Sequence, residues 1–346
     1  MPAAHDHVAL RHNAGMNLRA LFDRFSLALI ATLVLASLWP VRDAAATWLS
    51  HVTTAGIALL FFLHGARLPR EAVVAGLRHW RLHATVLIAT FALFPLLGLG
   101  LQPLAGPLLT PELYLGVLFL CALPSTVQSS IAFTSIARGN VAAAVVAASV
   151  SNLAGVFLTP LLATLLLATH GGMGSPWSAI TDILLLLLAP FVLGHLLRPW
   201  IAHGVQRRAR LLALTDRGTI LLVVFGAFSH AAIEGLWAQV PGRTLLGLLA
   251  VACALLALVM GLIWIASGRL GFNRADRITI LFCGSKKSLA TGVPMANILF
   301  AGQATLGMIV LPVMVFHQIQ LMVCAVLAQR FARHAPAPDQ AGSGSQ

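Results

Sequence analysis

Ten apolar runs follow one another along this chain with only short connections between them, at 25–39, 53–66, 82–101, 113–136, 141–168, 180–197, 218–232, 245–265, 278–300 and 304–328. About 20 apolar residues suffice to cross the roughly 30 Å hydrocarbon core of a bilayer as a helix. Inside that core a spanning segment must satisfy its own backbone hydrogen bonds, so runs of this kind read as helices. An all-α polytopic membrane protein of ten transmembrane helices is the expectation. The alternative of a soluble domain fails on charge: only 9% of the residues are charged, against roughly a quarter in an ordinary soluble domain. Such a chain has too little polar surface to face water.

The formal net charge is +12, and its placement carries more information than its size. With the N-terminus in the cytoplasm, 18 of the 22 Lys and Arg residues fall in cytoplasmic segments, only Arg42 and Arg243 fall outside, and Lys286 and Lys287 lie within the ninth run. Basic residues accumulate on the cytoplasmic side of membrane proteins, so this distribution predicts a cell (inner) membrane protein with both termini cytoplasmic. The basic connections suit contacts with anionic membrane lipids. They form no aromatic-interleaved module of the kind that binds nucleic acid. Residues 1–24, with Arg11, Arg19 and Arg24, read as a cytoplasmic segment before an uncleaved first helix rather than as the start of a signal peptide. Residues 329–346 read as a disordered cytoplasmic tail. Cys121, Cys253, Cys283 and Cys324 lie in apolar runs without CxxC spacing and read as buried small hydrophobes.

The first five runs span 25–168 and the second five 180–328, joined by a linker at 169–179. An odd number of helices per half inverts the second half relative to the first, the plan of many secondary transporters. The fourth run reads CALPSTVQSSIAFTSIARGN, with Pro124 near its middle and Ser125, Thr126, Gln128, Ser129 and Ser130 after it. Proline removes a backbone donor and clashes with the preceding turn, so a break is expected near residues 122–126. The ninth run, ITILFCGSKKSLATGVPMANILF, carries Gly284, Ser285, Lys286, Lys287, Ser288 and Pro294 at the corresponding place in the second half. Interrupted helices at matching positions point to a binding site at the membrane midplane, because unwound backbone is tolerated there only beside a cavity or inside protein.

Lys286 and Lys287 are costly at that depth, each about 2.5 to 3.5 kcal/mol on insertion scales. Two roles suit them: attraction of an anionic group from a central cavity, or a fixed positive charge where a relative would bind a cation. A shallow placement in interfacial water is the third reading. Ser149 and Asn152, three residues apart on the fifth run, can face the fourth; His317, Gln318 and Gln320 are further polar groups on the tenth. Glu234 and Asp182 read as interfacial residues at helix ends. No buried Asp pair, Ser–His arrangement or His-rich metal motif occurs in the runs, so an enzyme is not expected and no metal site is assigned.

The stretches LPSTVQSSIAFTSIARGN and FCGSKKSLATGVPMA resemble the bile acid:sodium symporter superfamily, in particular its atypical branch related to sodium/bile acid cotransporter 7-like proteins. The resemblance covers residues 21–333. It implies ten helices, with a panel domain of helices 1, 2, 6 and 7 moving against a core domain of the others, and with the broken helices 4 and 9 crossing. Better-known members bind two sodium ions near that crossing. Ser130 matches a family sodium-ligand serine, but Ile131 stands where the family has asparagine, Phe282 where it has glutamate, and Lys286 and Lys287 where it has Gln-Asn. An ammonium repels sodium, so the usual second sodium site is not expected here.

These readings predict a secondary active transporter that moves a small organic anion by alternating access, as a monomer or homodimer. Lys286, Lys287, Ser285, Ser288, Thr126, Gln128 and Ser129 are the candidate substrate-binding residues. Ser130, Ser149 and Asn152 are a partial ion site, with Na+ or H+ as the coupling ion and no other cofactor. A membrane regulator or scaffold that keeps the fold without transport is the alternative. Lys286→Met or Lys287→Met is expected to abolish anion binding while leaving stability intact.

Overall fold

The computed structural model describes residues 24–67, 79–168, 184–207, 209–235, 240–300, 303 and 305–333. These are helical throughout apart from short connections. In chain order the helices are α1 (Arg24–Leu38), α2 (Asp43–Arg67), α3 (Trp80–Gly100), α4 (Pro111–Ala122), α5 (Gln128–Ile136), α6 (Val141–Ala168), α7 (Ala189–Arg207), α8 (Ala209–Ile233), α9 (Gly242–Arg269), α10 (Arg274–Gly284), α11 (Leu289–Leu299) and α12 (Leu306–Arg333). Residues 1–23, the linker 169–179, Asp182 and the tail from 334 lie outside the described residues.

Six of the helices are long and apolar enough to cross a membrane, with windows inside α2, α3, α6, α8, α9 and α12; Phe25–Leu38, Pro111–Ala122 and Leu185–Ile201 are shorter apolar helices. The outer surface agrees. Leu38, Leu96, Leu104, Leu185 and Leu246 are largely exposed, and so are Trp39, Trp48, Trp80 and Trp200. A water-facing surface does not carry apolar area on this scale. Tryptophan near helix ends is the usual anchor at a membrane interface. The protein is a multi-pass membrane protein.

The helices pack as two groups. In the first, α1, α2, α7 and α8 lie together, with α2 against α7 and α8 against α1 and α2. In the second, α12 packs on α4, α9 and α11, α6 packs on α3, α4 and α10, and α10 packs on α5. The groups meet mainly where α8 lies against α11 and α12.

Close backbone approach between α2 and α7 requires glycine at two places. A Cβ on Gly65 would land on the Phe191 carbonyl oxygen, and a Cβ on Gly194 on that of Phe62. Without a hydrophobic force between helices in lipid, such small-residue contacts supply the packing. In the second group, edge-to-face pairs Phe94–Phe316 (6.0 Å) and Phe119–Phe300 (5.7 Å) fix α12 on α3 and the end of α11 on α4. Of the four cysteines, Cys121, Cys283 and Cys324 are buried as expected, whereas Cys253 is exposed on α9.

Candidate functional site

Both expected breaks are present. α4 stops at Ala122 because Pro124 drives the residue before it out of helical space, and Leu123 is extended (φ −71°, ψ 152°). Helix resumes at Gln128. The second break runs from Ser285 to Ser288, between α10 and α11. The two breaks touch: the Ser288 N–H donates to the Pro124 carbonyl at 2.8 Å. Gly155 of α6 lets Pro124 lie against its backbone, since a Cβ there would strike the proline ring.

A helix that ends inside protein leaves carbonyls needing donors, and here they come from α6 and from the two broken helices themselves. Thr159 donates to Ala122 O at 2.9 Å, and Ser130 donates to Phe282 O at 3.1 Å. The largest share comes from Lys287. Its ammonium donates to Cys121 O (2.8 Å), Leu123 O (2.7 Å) and Thr90 O (2.8 Å), so its three N–H groups meet three carbonyls. The Phe94 ring lies 4.0 Å from the nitrogen, within cation–π range.

The Thr90 carbonyl is available for a reason written in α3. Residues Ala89–Leu93 form a π-helical turn in which Phe94 N–H bonds Ala89 O instead of Thr90 O. The residue that would take Thr90 in that wider register is Pro95, which has no N–H. One proline therefore frees the carbonyl that Lys287 uses.

Lys286 is placed quite differently. Its nitrogen is buried without a hydrogen-bond partner and lies over two ring faces, Phe133 at 3.9 Å and Phe282 at 5.8 Å. Gln320 of α12, fully buried, clamps the backbone of Lys287 on both sides. Its Oε1 accepts from Lys287 N–H and its Nε2 donates to Lys287 O, both at 2.9 Å. The same Nε2 lies 3.0 Å from His317 Nδ1.

Beside the crossing, where the two groups of helices face each other, is a cavity of about 430 Å³, within the usual range for small-molecule sites. Of the candidate residues, Thr126, Gln128, Ser129, Ser149, Asn152 and Ser288 line it, and so does His317. Thr126 Oγ1 pairs with Ser129 Oγ at 2.8 Å, and Thr291 donates to Asn152 Oδ1 at 3.2 Å. Lys286, Lys287, Ser285 and Ser130 are not on its wall. The expectation that a lysine faces the cavity is corrected here, because both ammonium groups are drawn into the crossing, one by carbonyls and one by aromatic rings. Ser130 is likewise separated from Ser149 and Asn152: it is fully buried, its hydroxyl given to Phe282 O and shared with Thr126 at 3.2 Å.

The opposite wall holds what sequence reasoning missed. Arg67, the last residue of α2, donates to Asp216 of α8 at 2.6 Å, and both line the cavity with His64 and Arg217. The pair uses one prong of each group: Arg67 Nη2 and Asp216 Oδ1 are buried and unpaired. From the sequence, Arg67 and Arg217 read only as topology signals at the ends of runs. The signal that could have found them is the extension of α8 toward the N-terminus, which carries Asp216 onto the helix facing α2.

Comparison with known proteins places this geometry in context. Residues 23–333 match the SBF-like CPA transporter family. An uncharacterised protein of Pseudomonas aeruginosa is 60% identical over 91% of this chain and 94% of its own. YfeH of Escherichia coli, which carries a provisional symporter name, is 54% identical over 92% of this chain and 95% of its own. Sodium/bile acid cotransporter 7 of Mus musculus is 27% identical over 80% and 82%.

Proposed function

The chain belongs to the SBF-like CPA transporter family, and from that premise we propose that it is a secondary active transporter of a small organic anion, working by alternating access. The observation that carries the reading is that α5 and α11 both begin at the cavity, through Thr126, Gln128 and Ser129 on one side and Ser288, Leu289 and Thr291 on the other. Helix N-termini present unpaired N–H groups and a positive dipole end, which favours an anion. The first turn of α5 has no side-chain cap, whereas at α11 Ser288 Oγ already accepts from the Thr291 N–H at 3.2 Å. Across the cavity Arg67 and Arg217 outweigh Asp216 by one positive charge.

The two packing groups correspond to a panel of α1, α2, α7 and α8 and a core of the rest, rocking about the cavity between them. With each broken pair taken as one segment, the helices make ten, which supports ten spans in two inverted halves with both termini in the cytoplasm of an inner-membrane protein. Arg67 closes α2, and Asp216 and Arg217 lie about two turns into α8, whose start is assigned to the cytoplasm, so the cavity opens inward. Lys287 fills the carbonyl cage at the crossing with its own ammonium, which holds the breaks together without a metal cation. The transporter names of YfeH and cotransporter 7 support the class of activity; they do not extend to substrate.

The test is uptake by purified protein in liposomes loaded for counterflow, with a set of carboxylates paired with their neutral amides. Accumulation of at least one acid, and of no amide, by the wild type but not by a Ser129→Trp variant is the expected result. No accumulation of any acid under sodium or proton gradients of either direction sinks the transport reading and favours the scaffold.

A further inference from the structure

We infer that His317 is a proton-binding site that controls the break between α10 and α11. A part for that proton in driving transport would rest on the transport reading above; the proton site itself stands on geometry. The Gln320 carboxamide cannot be turned freely, because Lys287 N–H requires the oxygen and Lys287 O requires the nitrogen. Its Nε2 then offers its remaining hydrogen to His317 Nδ1 at 3.0 Å. That nitrogen must accept, and only an imidazole unprotonated at Nδ1 does so.

A proton at Nδ1 sets two donors against each other. Gln320 then either leaves His317 or turns its amide over, and turning it breaks both bonds to Lys287. The clamp therefore holds when His317 is neutral and is lost when the ring takes a proton at Nδ1. Lys287 is the residue whose ammonium ties α4, α3 and the second break together, so release of its peptide loosens the crossing itself. His317 lines the cavity, which gives a proton from the aqueous side a route to it.

Among the described residues, four ionisable groups share the cavity wall with His317. α8 brings Asp216 and Arg217 to the same cavity wall, α2 brings His64 and Arg67, and α5, α6 and α11 bring none. Of the other helices packed on α12, α4 brings Cys121 to the far side of the crossing, beside the Lys287 ammonium, and α9 contributes no lining residue. Lys287 faces His317 through Gln320, and Cys324 follows one turn after Gln320 on α12.

Hydrogen exchange reads the clamp directly, because the Lys287 amide hydrogen is one of its bonds. In full-length protein in lipid nanodiscs, protection of the peptide covering 285–289, corrected for intrinsic exchange, should fall about tenfold or more between about pH 7.5 and about pH 5.5. His317→Asn keeps an acceptor in place of Nδ1 without a titrating proton, and should stay protected across that range. Gln320→Leu should be unprotected at every pH. Protection that does not change with pH in the wild type, or an equal fall in His317→Asn, overturns the proposal. Should His317→Asn not yield folded protein, His317→Gln is judged by the same two outcomes. A pH step in exchange from a protein that fails every uptake assay would sink the transport reading while leaving the proton site in place.

Discussion

Lys286 and Lys287 are neighbours in the chain with opposite surroundings, and substitution should separate them. Leaving a buried carbonyl without its donor costs about 1 to 3 kcal/mol. Lys287→Met abandons three carbonyls at once, so a drop in melting temperature large enough to lose the monodisperse peak in size-exclusion chromatography is expected. Lys286→Met removes an ammonium that has no acceptor and should melt at or above the wild-type temperature. This revises the expectation that both Met variants keep their stability. The sequence showed that two charges sit at a costly depth, but not which one is satisfied, because the acceptors come from helix ends more than 160 residues away in the chain. The Arg67–Asp216 pair is read in binding rather than in folding. Its side chains are 30% and 15% exposed, and a partly solvated pair contributes only about 0 to 1 kcal/mol. Asp216→Asn should therefore leave melting nearly unchanged while tightening the apparent affinity for a transported acid severalfold. An unchanged or weaker affinity would remove Arg67 from the anion's path.

At the scale of elements, the breaks were legible because proline and clustered hydroxyls interrupt otherwise apolar runs, and their chemistry is local. The π-helical turn of α3 was not. Pro95 sits in a run that stays helical on both sides, so nothing in the spacing distinguishes a freed Thr90 carbonyl from an ordinary proline kink. Nor did the runs reveal that α2 and α7 touch backbone to backbone at Gly65 and Gly194, since glycine inside a membrane helix is common. That contact makes a sharp prediction. Gly194→Val places branched carbons onto the Phe62 carbonyl, and α7 must move away from α2. Overpacking of a close contact costs about 1 to 3 kcal/mol. Gly204→Val, where a Cβ meets nothing, is the matched control on the same helix. The expected outcome is a lower melting temperature for the first and not for the second; equal melting would show that α2 and α7 do not pack at these glycines.

At the scale of the molecule, the class of fold followed from length and charge alone, because a bilayer dictates both the run length and the side on which arginine collects. The division into two packing groups did not follow from length and charge, since each group draws on helices from both halves of the chain; only the family resemblance implied it, as helices 1, 2, 6 and 7 against the others, and the contacts group the same helices. Orientation is the property on which the inward opening of the cavity depends, and it rests on the distribution of 18 basic residues against two. One helix more or fewer in the middle of the chain reverses the side of everything after it and spoils that distribution. Cysteines introduced singly at Arg207, Arg274 and Gly172, with exposed Cys253 replaced by alanine, test it in intact cells and inverted vesicles. Arg207 closes α7 and Arg274 opens α10; both should react with a membrane-impermeant maleimide only in inverted vesicles. Gly172, in the linker between the halves, should react only in intact cells. Reaction of Arg207→Cys and Gly172→Cys from the same side would mean that no net crossing lies between them. The inverted repeat, the cytoplasmic termini and the inward-facing cavity would then fall together.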